Sequence, residues 1–211
     1  MEKPRPLTHD VGTRHPTPPP AAAAERGIRW YLREATAPRH AAVDALGGSH
    51  SLDTPEGYRR FLRAHARALA PVEQALEAGG IAALLPDWPG RSRRAALAAD
   101  LDGLDAPPPP PGPVSLPDGD AALLGAAYVL EGSRFGNGML ARQVGGALPR
   151  AYLAHRASWP DFLAVLEGRL ADRALWPDAA AGALAAFDAF QAALSAEPCP
   201  PREPGIDAAH V

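Results

Sequence analysis

The sequence predicts an all-α, single-domain helical bundle flanked by disordered, proline-rich tails. Alanine and leucine dominate, β-branched residues are scarce, and no segment sustains the period-2 alternation of a half-buried strand. Apolar side chains recur instead at helical spacing through several long segments. Most of the 25 prolines fall at the two ends and in a single internal connection, where missing amide donors and a fixed φ block both helix and sheet. Residues 1–24, with "MEKPRPLTHD" and "HPTPPPAAAA", read as a disordered arm, and residues 197–211, "EPCPPREPGIDAAHV", as a second tail. Residues 25–196 form the domain, a common size for one hydrophobic core.

Taken in order, the first helix starts near Ala24 to Gly27. It carries Ile28, Trp30, Tyr31, Leu32, Ala35, Val43 and Leu46 before "GGSHS" stops it. The second follows "SLDTPEGY", where Asp53 or Thr54 supplies a cap and Pro55 suits a first turn, and it bends at Pro71. A shorter helix covers about Ser92 to Leu101. The run "DAPPPPPGPVSLPDGD" is then a stiff, extended connection. Past it, Asp118 or Asp120 caps a long glycine-interrupted helix, "AALLGAAYVLEGSRFGNGMLARQVGGAL". Two more helices, about Trp159 to Leu175 and Asp178 to Leu194, are separated by "WPD". Phe162, Val165, Leu166 and Leu170 recur at core spacing.

Composition narrows the function. A net charge of −3, with both signs mixed along the chain, provides no footprint for a phosphate backbone and argues against nucleic acid. No apolar run approaches a membrane span and no secretory h-region opens the chain, so the expected location is cytoplasmic. The single cysteine, Cys199, excludes an intrachain disulfide and argues against a thiolate-held zinc or iron–sulfur centre, so any iron is expected on nitrogen or oxygen. Paired Glu-x-x-His motifs of a di-iron site are missing. His9, His15, His50, His155 and His210 fall in loops or tails, and His65 reads as a surface or satisfied interior histidine.

Two constellations remain. Arg33, His40 and Asp44 lie at i, i+7 and i+11 of the first helix and share one face. An imidazole that ligates a metal through one nitrogen donates its other N–H to an acceptor, a role open to Asp44; a surface His–Asp pair has the same spacing. On the long helix, Gly125, Val129, Gly132, Gly136 and Met139 or Leu140 form a stripe. Each helical glycine costs roughly 1 kcal/mol relative to alanine. The stripe serves close helix packing, a kink, or approach of the backbone to something flat and rigid.

Together these patterns resemble the haem oxygenase family, in its bacterial branch associated with bacteriophytochromes. "LREATAPRHAAVD" resembles the proximal helix, "YVLEGSRFGNGMLARQV" the distal helix and "GYRRFLRAHARALAPVEQAL" the second helix; the likeness runs from Trp30 to Arg142, more weakly through "AFDAFQAAL". It implies a haem-oxygenase-like bundle that cleaves haem, at once cofactor and substrate, to biliverdin, carbon monoxide and ferrous iron with O2 and external electrons. It implies His40 as axial ligand, Asp44 as its acceptor, Arg33 at a haem propionate, and Gly132 and Gly136 as distal glycines that let the helix backbone approach the ring. It also implies an electron donor such as a ferredoxin or reductase, and a bacteriophytochrome or signalling protein as partner.

The chain departs from that pattern in three places. Asn137 stands where a further glycine is usual, and is expected to crowd the distal pocket or donate a hydrogen bond there. Ser133 stands where animal members place an aspartate that orders water. Leu163 and Glu167 occupy the places of late-helix basic residues, with Arg169 and Arg173 off register. These departures frame the alternative: a haem-oxygenase fold without turnover, acting as haem sensor, carrier or interaction module. Cys199-Pro200 resembles a motif of haem-responsive proteins but sits in a compositionally biased tail.

Overall fold

The computed structural model describes residues 26–197. Both proposed tails, with Cys199, His9, His15 and His210, lie outside the described residues, except for Glu197. Among the described residues there are helices and no strand. They are α1 (Ile28–Gly47), α2 (Pro55–Ala78), α3 (Ile81–Leu84), α4 (Trp88–Arg91), α5 (Arg94–Asp102), α6 (Asp120–Leu140), α7 (Ala151–Ala154), α8 (Trp159–Arg169) and α9 (Trp176–Ala196), with a 3-10 turn at Arg173–Leu175.

Local chemistry sets the boundaries. Thr54 caps α2 by accepting from the Gly57 amide at 3.1 Å, with Pro55 in the first turn. α6 is preceded by Gly119, whose φ of 99° is poorly tolerated by other residues, and Asp120 lies within its first turn. Neither aspartate therefore caps it, contrary to expectation. α6 also ends at Leu140, eight residues before the expected limit, because the chain turns at Ala141 to Gln143 and turns again between Gly145 and Leu148 before α7. Trp-Pro-Asp does not separate the last helices but forms the first turn of α9, where proline sacrifices no helical hydrogen bond. The break falls earlier, after Arg169.

α9 is the centre of the bundle. It packs on α6, α1 and α2, and it buries Trp176, Phe187 and Phe190 among small alanine faces. α1 and α6 each lie along α9 rather than chiefly on one another. The approach of α6 to α9 is set by two glycines: a Cβ on Gly125 would stand 1.8 Å from the Ala179 carbonyl oxygen, and one on Gly182 would stand 2.0 Å from that of Ala122. The stretch Arg173–Ala196 is long and apolar enough to span a membrane, with mean hydropathy 1.3, which corrects the expectation that no run approaches that length. Much of it is buried within the bundle, as a core helix requires.

The proline-rich connection runs extended along α2, bonded by the Gly112 amide to the Arg67 carbonyl at 2.8 Å. Glu197 belongs to the folded body: its carboxylate accepts from Arg63 at 3.3 Å and its carbonyl meets His50 Nε2 at 3.3 Å.

Candidate functional site

α1 is anchored by Ile28, Leu32 and Thr36, whose hydroxyl donates to the Leu32 carbonyl. This leaves the face carrying His40 turned outward. His40 Nδ1 lies 2.9 Å from Asp44 Oδ2, with the two side chains 62% and 68% exposed. The bond places the proton on Nδ1 and leaves the Nε2 lone pair for a ligand. The imidazole meets the Phe187 ring of α9 edge-on at 5.6 Å. Two turns back, Arg33 lies over the Trp30 ring at 5.2 Å, joined there by Arg29 at 5.5 Å. Both guanidiniums act on Tyr128 of α6: burial raises that phenol's pKa and the two positive charges oppose the rise. Arg29 and Arg33 thus lie within electrostatic reach of Tyr128.

The glycines of α6 divide into two kinds. Gly125 is a packing residue, closed by Ala179. Gly132, Gly136 and Gly138 are open, since a Cβ on any of them would meet no atom within 4 Å. Phe135 and Met139, 63% and 68% exposed, lie on the same stretch of helix and add apolar surface beside those glycines. Phe135 contacts Trp159 of α8 edge-on at 5.3 Å, and Trp159 also approaches Tyr128. An uncovered strip of backbone with apolar edges suits a flat, largely apolar ring.

Behind this strip lies a polar cluster that the sequence did not disclose as a unit. Glu131 is buried and accepts from Arg91 at 2.8 Å and Arg134 at 2.9 Å. Arg134 also donates to His155 Nδ1 at 2.8 Å, which fixes that ring as the Nε2–H tautomer. Burial, then the charge of Arg134, lowers the His155 pKa. Arg93, fully buried, donates to the Leu130 carbonyl at 3.0 Å and to Ser133 Oγ at 3.1 Å. Ser133 Oγ in turn donates to that same carbonyl at 2.8 Å.

Asn137 corrects an expectation. It is 4% exposed and turned into this cluster, so it does not crowd the open face of α6. In the amide orientation that pairs oxygen with donor, its Oδ1 accepts from Arg93 Nη1 at 3.1 Å and its NH2 donates to the Ser133 carbonyl at 3.2 Å. The signal for the cluster was present in "EGSR", which puts Glu131 and Arg134 three residues apart, but Arg91 and Arg93 reach it only through tertiary folding.

The other histidines take no part in the candidate site. His50 is buried against the Gly47 and Glu197 carbonyls. His65 bonds the Phe61 carbonyl at 2.9 Å among Phe61, Tyr152 and Phe190, the satisfied interior residue expected. Leu163 is half-buried beside the core and Glu167 is exposed on α8, and neither is basic. Among the described residues no group of three or more His, Cys, Asp or Glu side chains forms a metal site. His40 presents a ring nitrogen not engaged by Asp44, and α6 an open strip of backbone.

No family model matches the chain. A protein described as heme oxygenase from Xanthomonas campestris pv. campestris (strain 8004) is 37% identical over 174 residues, an alignment covering 75% of this chain and 99% of that one. The heme oxygenase of Neisseria meningitidis, solved with NO and CO bound, superposes with a TM-score of 0.70 at 22% identity, over 81% of this chain and 92% of that chain, and so shares the fold. With nearly the whole length of a relative matched at that identity, the chain belongs to the haem oxygenase family.

Proposed function

We propose that the chain is a haem oxygenase that cleaves haem to biliverdin, carbon monoxide and ferrous iron, using O2 and electrons from an external donor. The observations that support this reading are the exposed His40–Asp44 pair on α1 and the open glycines of α6, in a chain of this family. Bound haem supplies the iron at which O2 is reduced and is itself the macrocycle that is oxidised.

The chain's own part is positional. His40 Nε2 would hold the iron, while Asp44 retains the Nδ1 proton and keeps the imidazole in the ligating tautomer and orientation. Because Asp44 is exposed, its carboxylate would polarise the His40 ring without drawing it to a full imidazolate, so His40 would serve as a neutral ligand. Arg33, with Arg29 beside it, would meet propionate carboxylates. Gly132 and Gly136 would leave room for a flat ring against the α6 backbone. Ser133 supplies a hydroxyl able to hold water at that wall. A ferredoxin or reductase fits the need for single electrons, and a bacteriophytochrome is a candidate recipient of biliverdin.

His40→Ala tests the assignment. The variant is expected to keep its helical content, lose the Soret band of the hemin complex and lose turnover with ascorbate or a ferredoxin system under air in the presence of catalase. Added imidazole should restore part of the Soret band. Full haem conversion by the variant without imidazole would overturn the reading. In the wild type, stable haem binding without biliverdin formation would assign the sensor or carrier alternative instead.

A further inference from the structure

Arg93 is the largest of the fully buried side chains and is a cation. Its guanidinium is held by neutral oxygens: the Leu130 carbonyl, Ser133 Oγ and Asn137 Oδ1. Among the described residues no carboxylate pairs with it. Glu73 accepts from the Arg93 backbone amide at 2.9 Å and from Ser92, but its charge is engaged with Arg94 at 3.3 Å. Glu131 is taken by Arg91 and Arg134. Arg93 Nε has no partner, and the guanidinium carbon lies 5.2 Å from the Tyr152 ring centroid. Burying an unpaired cation costs free energy, so its place needs a reason beyond filling space.

All three acceptors belong to one stretch of α6, Leu130 to Asn137, which contains Gly132 and Gly136. Two open glycines in consecutive turns weaken a helix by roughly 1 kcal/mol each. Those same glycines preclude side-chain packing on the open face, so the helix must be held from behind. Arg93 holds it at three points, and Asn137, the residue that departs from the family pattern, supplies the third.

We propose that Arg93 is a positioning residue for the distal wall: through Leu130, Ser133 and Asn137 it fixes the glycine-bearing turns of α6, and its unpaired charge makes that wall electropositive toward a diatomic ligand on bound haem. The proposal rests on the haem oxygenase reading for the ligand and on the structure alone for the helix. Ser133 touches the open side, while Arg93 acts through it.

The test uses the full chain with Arg93→Met, Arg93→Lys and Asn137→Asp. In the haem-free protein, amide hydrogen exchange across Ser133 to Leu140 should accelerate in Arg93→Met by tenfold or more, and Arg93→Lys should restore part of the protection. In the ferrous complex with added carbon monoxide, loss of the positive charge should raise the C–O stretching frequency, because less electron density is drawn onto the ligand. Lysine should return it toward the wild-type value. Asn137→Asp neutralises Arg93 without removing it and should also raise the frequency, which keeps the proposal testable if Arg93→Met fails to fold. Unchanged exchange in a folded Arg93→Met protein overturns the proposal, as does an unchanged stretching frequency in both Arg93→Met and Asn137→Asp. If wild-type protein forms no hemin complex, the haem reading fails, and the exchange experiment still decides whether Arg93 braces α6.

Discussion

Alanine at the glycines of α6 should have opposite effects on stability according to what each glycine faces. At Gly136 a new Cβ meets nothing within 4 Å, so the haem-free protein gains the difference in helix propensity, about 0.5–1 kcal/mol. For a domain of this size that corresponds to a rise in Tm of about 1–4 °C. At Gly125 the Cβ would stand 1.8 Å from the Ala179 oxygen, so α6 and α9 must part by roughly 1.5 Å to reach ordinary contact. Overpacking of that kind costs about 1–3 kcal/mol or more, which outweighs the propensity gain and lowers Tm. Gly182→Ala opens the same seam from the other side, so the double variant should lose less than the sum of the two.

The assay is thermal unfolding by circular dichroism with and without hemin. Hemin should stabilise the wild type by mass action, and should stabilise Gly136→Ala less, because the added methyl occupies space the ring needs. A fall in Tm for haem-free Gly136→Ala would refute the reasoning. Equal stabilisation of variant and wild type by hemin would show that the ring does not lie against Gly136.

Two further predictions concern the buried charges. Glu131→Gln leaves Arg91 and Arg134 without their shared carboxylate and should cost about 3–5 kcal/mol, measured by urea denaturation; adding Arg134→Met should recover part of that loss, and a loss below 1 kcal/mol would refute the pairing as the source of stability. His65 has its pKa lowered to about 4, first by burial. The unfolded chain therefore takes up a proton near pH 6.5 that the folded chain refuses, so this contribution is complete above about pH 6.5 and is lost as the pH falls toward 4. It amounts to about 3 kcal/mol over that window. His65→Gln should lose correspondingly less stability than wild type between pH 7 and pH 4.5, and parallel pH profiles would refute the assignment.

The sequence carried the fold well where local chemistry decides structure. Thr54-Pro55, the apolar spacing of α1 and α2, and the proline run after Ala106 are all read from neighbours in the chain. It carried His40 and Asp44 for the same reason, since one helical turn separates them. It misread Trp-Pro-Asp because proline both ends and begins helices, and only the preceding 3-10 turn shows which applies here. It grouped Gly125 with Gly132 and Gly136 because periodicity reports a shared stripe but not what the stripe touches. Asn137 was assigned to the open side for a similar reason. Its true partner, Arg93, is 44 residues away in sequence and meets it only once α5 and α6 have both packed against α2.

The central place of α9 has a consequence for how the protein is made. During synthesis α1 emerges first and α6 much later, but both rest on a helix translated after either of them. A ribosome-bound chain released only as far as α8 holds His40 and the glycine strip without the scaffold that sets their spacing. The relative placement of α1 and α6 is therefore fixed late, with the arrival of Trp176–Ala196.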